Sequence, residues 1–292
     1  MNNYLEDNRE NAATEITQQL TEEESTQLLR GLEYPNGLEY MVSGSLSTVV
    51  GTRKNQQDSC YVSVEPDGSA LGIVCDGMGG LEGGEMASRT ALQTFVEDFE
   101  AVRYGQKDYY NFFCEEVIKI DEIVAGLTNA QGETMSAGTT LVAVSVVDGY
   151  MQFISVGDSK IYVLRNGQLR TMNREHNYYL ILDEQYRRGE ITQGDYLREG
   201  ARGEALISYL GMGNISIMDA NPIPIPLIDG DIIILCSDGL YKSLSEEQIA
   251  AIIRKNPINL EKTLQELQEE ARVSSPTAQD NTSIVLLSYR RK

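Results

Sequence analysis

The stretch 230-GDIIILCSDGLYKS-243 is a short apolar run that stops at Asp238-Gly239, and 69-SALGIVCDGMGGLEGGEMAS-88 stops in the same way at Asp76-Gly77. Short continuous apolar runs ended by turn residues predict strands that are buried on both faces. Each strand would then deliver one carboxylate to the rim of a sheet. An ionised carboxylate beside a dry core is costly unless cations or hydrogen-bond donors lie near it. The rest of the chain should supply them.

The segments around these runs predict an α+β fold. Val, Ser and Thr alternation and the hairpin turns Asp148-Gly149 and Asn166-Gly167 are typical of antiparallel strands. Apolar residues at helical spacing predict helices in pairs after each Asp-Gly run. We therefore expect a four-layer α-β-β-α sandwich, in which two mainly antiparallel sheets are flanked by helices. The predicted strands lie at 40–50, 58–65, 138–147, 150–156, 160–169 and 281–289, and the predicted helices at 85–99, 109–128, 245–255 and 258–272.

Two segments differ from this pattern. Residues 1–38 carry eight acidic and two basic side chains, which predicts a flexible acidic N-terminal extension with one helix at 21–32. Residues 174–214 are polar, aromatic and interspersed with glycines, which predicts a helical insert, here called the flap, close to the site. Residues 39–292 are expected to form a single domain.

The composition limits the possible partners and compartment. The chain has 292 residues and a formal charge of −20, which disfavours nucleic acid and anionic membranes and favours divalent cations. No apolar stretch approaches 18 residues. The four cysteines are scattered without a C-x-x-C pair, which indicates reduced thiols. We expect a cytoplasmic protein that is monomeric.

Several phosphate chemistries can be excluded by counting residues. The chain has one histidine, His176, so a zinc site of three histidines and the histidine-rich binuclear phosphatases are excluded. No arginine stands six residues after any cysteine, which excludes the cysteine phosphatases. The glycine run 77–84 lacks the lysine of a phosphate loop and has Glu82 where a dinucleotide-binding motif needs glycine.

Aspartates remain as the chemistry-bearing residues. Asp58 opens a predicted strand and Asp280 precedes the last one, so that both could join Asp76 and Asp238 at a sheet rim. Any one of them could instead be a turn or cap residue. If the four converge, their charges require about two divalent ions, and oxygen-only ligands favour Mg²⁺ or Mn²⁺.

Taken together, these segments resemble the metal-dependent serine/threonine protein phosphatases of type 2C, in particular the bacterial branch. The resemblance runs from about residue 40 to the end, and its strength lies in the order and spacing of motifs that are weak singly. The matching segments are 51-GTRKNQQDSCYV-62, 74-VCDGMGGLEGGEMAS-88, 138-GTTLV-142, 156-VGDSKIYVLRNGQL-169, 175-EH-176, 208-SYLG-211, 236-CSDGL-240 and 280-DN-281.

The resemblance implies a centre of two Mn²⁺ or Mg²⁺ ions. Asp76 would bridge the ions, Gly77 would offer its carbonyl to one, and Asp238 and Asp280 would complete the other. Asp58 would hold metal-bound water at the second ion.

Two further residues take roles from the same resemblance. Arg53 would grip the substrate phosphate by bidentate hydrogen bonds, which lysine cannot reproduce. Asp158 matches the ligand of a third, weaker ion, although it could instead close a turn between strands. The implied reaction is in-line attack of the metal-activated water on phosphorus without a phosphoenzyme.

Three positions depart from the family pattern. Gln56 stands where the family has Asn, Gln57-Asp58 replaces Glu-Asp, and Met78 stands where eukaryotic relatives often carry a histidine thought to protonate the leaving group. The local hydrogen bonds around Asp58 are therefore expected to differ.

The sequence favours an active phosphatase that acts on phosphoserine and phosphothreonine in proteins, opposite a serine/threonine kinase. Two alternatives stay open at this point. One is a catalytically silent relative that binds phosphoproteins as a regulatory module. The other is a small-molecule phosphatase on the same fold.

Overall fold

The structure, a computed structural model, describes residues 40–79, 83–103 and 108–292. The extension predicted at residues 1–38, with its helix at 21–32, lies outside these residues. So do residues 80–82 of the glycine-rich loop.

Two antiparallel sheets form the centre of the described part of the chain. One has five strands in the order β1-β12-β11-β7-β8, and the other has seven, with the main path β10-β6-β5-β3-β2, β4 beside β3 and β9 beside β6. The strands are β1 (Tyr40–Val49), β2 (Asp58–Val64), β3 (Ala70–Gly79), β4 (Ala137–Thr139), β5 (Leu141–Val147), β6 (Tyr150–Val156), β7 (Lys160–Arg165), β8 (Gln168–Thr171), β9 (Asp219–Ala220), β10 (Ile225–Pro226), β11 (Ile232–Cys236) and β12 (Thr282–Arg291).

Helices cover the outer face of each sheet. The pair that follows β3 packs on the seven-stranded sheet, and the pair that follows β11 packs on the five-stranded sheet. The helices are α1 (Gly83–Val102), α2 (Tyr110–Ala125), α3 (Tyr178–Arg187), α4 (Gln193–Glu199), α5 (Asp238–Tyr241), α6 (Glu246–Lys255) and α7 (Leu260–Ser274), with a 3₁₀ turn at Gly200–Arg202. The predicted four-layer α+β sandwich is confirmed.

Strand β11 shows why the apolar run is continuous. Successive side chains of a strand point to opposite faces. Ile233 and Leu235 accordingly pack between the two sheets, whereas Ile232, Ile234 and Cys236 pack against α6 and α7. A strand with a core on both faces has no exposed position, so the whole run is apolar.

The two predicted hairpin turns are confirmed. Asp148-Gly149 joins β5 to β6 and Asn166-Gly167 joins β7 to β8. All four residues have positive φ, between 51° and 79°. Both central residues of a type I′ turn need this conformation, which Asn, Asp and Gly adopt most readily.

Strand β3 extends further than the sequence predicts. We expected the strand to end at Asp76, because the apolar run ends there. Instead Gly77, Met78 and Gly79 continue it and pair with Thr139, Gly138 and Ala137 of β4. The partner strand, which is distant in sequence, lengthens β3 and places Asp76 inside the strand.

The predicted flap at 174–214 contains α3, α4 and the 3₁₀ turn. Asn177 forms an isolated bridge with Leu206 at its base. Further on, Leu210 exchanges two backbone hydrogen bonds with Thr139, of 2.9 and 3.0 Å. The base of the flap is therefore joined to β4.

Each helix within 40–79, 83–103 and 108–292 lacks either the length or the hydropathy of a bilayer-spanning segment.

Candidate metal centre

Asp58 and Asp76 lie directly opposite each other on neighbouring strands. The antiparallel register of β2 and β3 pairs Asp58 with Asp76. Residues paired in this way project from the same face with β-carbons about 4.5–5.5 Å apart, and like charges there are destabilising. The fold therefore brings two carboxylates together at a point that requires positive charge.

Asp58 is buried and only half satisfied by the protein. Its Oδ2 accepts a hydrogen bond of 2.7 Å from Ser237 Oγ. Its Oδ1 is buried and, in the part of the chain that the structure describes, has no hydrogen-bond partner. Burial raises the pKa of Asp58 to about 7, and the charges of Asp238 and Asp280 act in the same direction. An orphaned, desolvated carboxylate oxygen is a group that a cation or an ordered water would satisfy.

Asp76 is held by Thr139, the last residue of β4, and by Thr140, which follows it. Its backbone N–H donates to Thr140 Oγ1 at 3.0 Å. Its carbonyl accepts from Thr140 N at 2.9 Å and from Thr139 Oγ1 at 3.0 Å. These bonds fix the backbone of Asp76, and Thr139 also carries the base of the flap. The segment 138-GTTLV-142 therefore connects the flap to Asp76.

The aspartates predicted from the sequence act on Asp76 electrostatically. Burial raises the pKa of Asp76 well above its usual range, and the charges of four other carboxylates raise it further. These are, in order, Asp58, Asp238, Asp158 and Asp280. Carboxylates from β2, the 157–159 turn, α5 and the residues just before β12 are thus close enough to Asp76 for their charges to raise its pKa.

Gly77 and Gly239 allow close backbone contacts around these carboxylates. A β-carbon on Gly77 would lie 2.1 Å from Gly84 O and 2.4 Å from Gln57 O. One on Gly239 would lie 2.2 Å from Asn281 O. A larger residue at 77 would therefore push β3, with Asp76, away from α1. A larger residue at 239 would push Asp238 away from the 280–281 segment, which explains why glycine follows each aspartate.

Basic side chains balance two of the aspartates. Arg53 donates through Nη2 to Asp280 Oδ2. Lys242 Nζ lies 2.9 Å from Asp238 Oδ2. The predicted phosphate-binding arginine is therefore at the site, beside a predicted metal ligand.

Asn281 is one of the residues at the centre that the sequence did not predict. Its Oδ1 accepts from Gln57 N at 2.8 Å, and its Nδ2 donates to Val50 O and Asn55 O at 2.8 and 3.1 Å. One amide therefore fixes both ends of the 50–57 loop, which carries Arg53 and leads into Asp58. In the sequence, the Asp-Asn pair at 280–281 marks this position, but the prediction assigns a role only to Asp280.

Gln56, one of the departures from the family pattern, hydrogen-bonds on both sides of the loop. Gln56 Oε1 accepts from Asp58 N at 3.0 Å, and its Nε2 donates to Thr48 Oγ1 at 2.8 Å. The longer side chain thus connects β1 to the start of β2.

Asp158 and His176 flank the centre. Asp158 is buried, and burial followed by the charge of Asp238 raises its pKa to about 6. His176 is buried; its Nδ1 accepts from Gly157 N at 3.2 Å and its Nε2 lies 3.3 Å from Asp219 Oδ1. The histidine therefore supports the turn that carries Asp158 and does not face the aspartates as a metal ligand.

The donor chemistry fits divalent ions with oxygen ligands, Mg²⁺ or Mn²⁺. Across 40–79, 83–103 and 108–292, no three Asp, Glu, His or Cys side chains are already gathered as the ligands of one ion. Arg53, Lys242 and Ser237 hold the carboxylates of Asp280, Asp238 and Asp58 instead. Ligation of one ion by three of these carboxylates would therefore need some of the side chains to turn.

Comparison with known proteins gives a consistent result. The family model described as Protein phosphatase 2C matches residues 50–274. The chain is 26% identical over 243 residues to the serine/threonine phosphatase stp of Listeria welshimeri, covering 80% of this chain and 90% of that protein.

Solved structures share the fold. The PPM Ser-Thr phosphatase MsPP from Mycobacterium smegmatis, in complex with cacodylate, superposes with a TM-score of 0.65 at 28% identity, over 84% of this chain and 97% of that one. The catalytic domain of the serine threonine protein phosphatase PstP, in complex with 2 manganese ions, gives a TM-score of 0.67 at 22% identity, over 86% and 99% of the two chains.

Asp58 should make the metal-free protein less stable as the pH rises. Its pKa is about 7 in the folded protein against an ordinary value of 3.8. A raised pKa contributes stability that is fully present below about pH 4 and is lost as the pH rises through about 7. In urea denaturation with a chelator present, Asp58→Asn should therefore become increasingly more stable than wild type between pH 4 and pH 8. About three pH units at about 1.4 kcal/mol each limit the difference to about 4 kcal/mol.

Asp183→Asn, a substitution on the exposed surface of α3, is the control for this experiment. A stability difference between Asp58→Asn and wild type that stays constant from pH 4 to pH 8 would contradict the prediction.

Asn281→Ala should weaken metal binding through the 50–57 loop. Loss of a residue that orients metal ligands typically costs about 10–100-fold in affinity. We expect the Kd for Mn²⁺, measured by calorimetric titration, to rise by that factor. The control Asn256→Ala removes a hydrogen bond to Glu266 of α7 and should leave the Kd unchanged. An unchanged Kd in a folded Asn281→Ala variant would show that the loop does not position the ligands.

Proposed function

The chain belongs to the protein phosphatase 2C family of metal-dependent serine/threonine phosphatases, and we propose that Asp58, Asp76, Asp238 and Asp280 hold two Mg²⁺ or Mn²⁺ ions for the hydrolysis of phosphoserine and phosphothreonine in proteins. The main function predicted from the sequence is thereby confirmed at the level of the family. The silent-relative and small-molecule alternatives are not supported by the named relatives.

The observation that carries the two-ion proposal is the convergence of carboxylates on Asp76. Asp58 is its direct cross-strand partner, and Asp238 and Asp280 act on it electrostatically. Four carboxylates at one sheet rim require a compensating charge that Arg53 and Lys242 supply only in part. The manganese ions in the PstP structure support the choice of metal.

Each ligand has a role that its position supports. Asp76 lies at the centre of the group and would bridge the two ions, with the adjacent Gly77 carbonyl as a further ligand. Asp238 and Asp280 enter from α5 and the start of β12 and would complete one ion. Asp58, whose Oδ1 has no hydrogen-bond partner among the described residues, would hold and orient the attacking water.

When bound, the ions would lower the pKa of water to near neutrality and stabilise charge on the phosphoryl oxygens. Arg53 would bind two phosphoryl oxygens through its planar guanidinium. Its neighbour Asp280 holds the guanidinium at the site before substrate binds. Met78 offers no proton to the leaving alkoxide, so this proton must come from water.

The remaining nucleophiles are unsuited to covalent catalysis, which supports direct attack by water. Burial raises the pKa of Cys60 to about 11 and that of Cys236 to about 12, and it raises the pKa of Cys75 well above its usual range. A thiol must ionise to act as a nucleophile. His176 is buried, with its Nδ1 bonded to Gly157 N–H and its Nε2 beside Asp219.

We infer the cellular setting from charge and cysteine state. Cys60, Cys75, Cys114 and Cys236 are free thiols, which supports a reducing compartment such as the cytoplasm. The charge of −20 disfavours nucleic acid and anionic membranes as partners. Phosphoproteins made by a serine/threonine kinase are the proposed substrates, and residues 39–292 the proposed single domain, acting as a monomer. Pairing of β1 with β12 along their full length supports this domain extent.

Asp238→Ala should abolish metal-dependent activity. Losing a residue that only orients a metal ligand already costs about 10–100-fold in affinity or activity. Because Asp238 is a proposed ligand itself, Mn²⁺-dependent hydrolysis of p-nitrophenyl phosphate should fall by more than about 100-fold. Asp98→Ala, which removes a surface carboxylate paired with Lys119, should retain wild-type activity. Wild-type turnover that does not depend on Mn²⁺ or Mg²⁺ would refute the proposed mechanism.

The substrate class needs a separate comparison. Phosphoserine and phosphothreonine peptides should be hydrolysed with higher kcat/KM than phosphorylated metabolites at equal concentrations. The opposite order would move the proposal to small molecules while leaving the metal chemistry intact.

Arg53→Ala should raise KM more than it lowers kcat, because most of its contacts with the phosphate are made already in the ground state. Arg53→Lys should recover only part of the loss, since lysine cannot form the bidentate pair. Arg272 on α7, similarly exposed at 61% against 58% for Arg53, provides the control Arg272→Ala. A fall in kcat at constant KM would instead assign Arg53 to the transition state alone.

A further inference from the structure

Lys242 connects two carboxylates from different parts of the fold. Its Nζ lies 2.9 Å from Asp238 Oδ2 and 3.1 Å from Glu204 Oε2. Asp238 opens α5, and Glu204 belongs to the flap. The ammonium group therefore lies at the boundary between the aspartate cluster and the flap.

Lys242 directly follows α5, and the neighbouring Tyr241 contacts Asp158. Lys242 follows Asp238 by four residues, which places the two side chains on the same face of one helical turn. Tyr241, the residue before Lys242, donates its hydroxyl to Asp158 O at 3.1 Å. The backbone of Asp158 is thus tied to the turn that carries Lys242.

The charge of Lys242 acts on both aspartates. Burial tends to lower the pKa of Lys242, but Asp238, Glu204 and Asp158 together raise it above its usual range, so the side chain stays cationic. Lys242 in turn lowers the pKa of Asp158, against the effects of burial and Asp238. Lys160 of β7, whose ammonium lies over the Tyr241 ring, is paired with Glu175 at 2.8 Å.

Asp158 is the residue for which the sequence resemblance implies a third ion. A divalent ion shared by Asp158 and Asp238 would have to lie beside an ammonium that already contacts Asp238. Like charges at this distance repel, and the lysine already supplies the counter-charge without a metal. The donor set around Asp158 therefore does not fit a third ion.

We propose that the Lys242 ammonium takes the place of a third divalent ion beside Asp238 and Asp158. The chain then binds two ions and not three. The inference rests on the proposed two-ion function and concerns only the cation beside it.

The test is the stoichiometry of Mn²⁺ binding, measured by calorimetric titration of the metal-free full chain. Wild type should bind two equivalents. Lys242→Met should gain a third, weaker equivalent, because the competing charge is gone. The double variant Lys242→Met with Asp158→Asn should return to two, since the third ion needs that carboxylate.

Two further variants separate charge from side-chain loss. Lys242→Arg keeps a cation and should bind two equivalents, whereas Lys242→Gln should bind three even if the methionine variant folds poorly. Lys255→Met removes a lysine from an exposed pair with Glu266, of 3.0 Å, and should bind two like wild type.

Three equivalents in wild type, or two in both neutral Lys242 variants, would overturn the inference and leave the two-ion phosphatase intact. A wild-type chain that binds no Mn²⁺ would instead overturn the proposed function, and with it this inference.

Discussion

The pairing of Asp58 with Asp76 across β2 and β3 is the constraint to which the rest of the centre responds. Two carboxylates in direct cross-strand register repel each other. The fold fixes them there through seven consecutive residue pairs of the β2–β3 ladder, so neither can move away alone. Burial adds to the cost, and the pKa values of both side chains are raised. Folding therefore stores an unfavourable interaction, and under the proposed function divalent cations would relieve it and gain affinity for the site.

The surrounding polar residues keep this repulsive arrangement ordered. Thr139 and Thr140 hold the backbone of Asp76, Ser237 holds Asp58, and Asn281 holds the loop before Asp58. Thr139 also pairs with Leu210 at the base of the flap. A displacement of the flap would therefore reach Asp76 through a single residue. Lys242 makes the second connection, from Glu204 to Asp238.

Much of the fold and part of the site could be predicted from local pattern. Hairpins at Asp148-Gly149 and Asn166-Gly167 followed from turn chemistry, and the helices followed from apolar spacing. The extension of β3 to Gly79 was missed because its partner, β4, lies about sixty residues later and no local pattern encodes that pairing. The role of Asn281 was missed for a similar reason. The three hydrogen bonds of its side-chain amide reach residues more than 220 positions away in the sequence. The position of Lys242 could not be predicted, because a lysine four residues after an aspartate ordinarily forms only a solvated ion pair on the surface.

The α+β layering, the family and the four candidate aspartates can be predicted from the sequence, because apolar period, Asp-Gly turns and the order of motifs are local properties of the chain. Which groups meet those aspartates depends on the packing of segments that are distant in sequence. Register placed Asp58 opposite Asp76, the return of β12 brought Asn281 to the 50–57 loop, and the turn of α5 placed Lys242 between Asp238 and the flap. Such contacts join segments far apart in sequence, and their energies depend on distance and burial, which exist only once the sheets have packed.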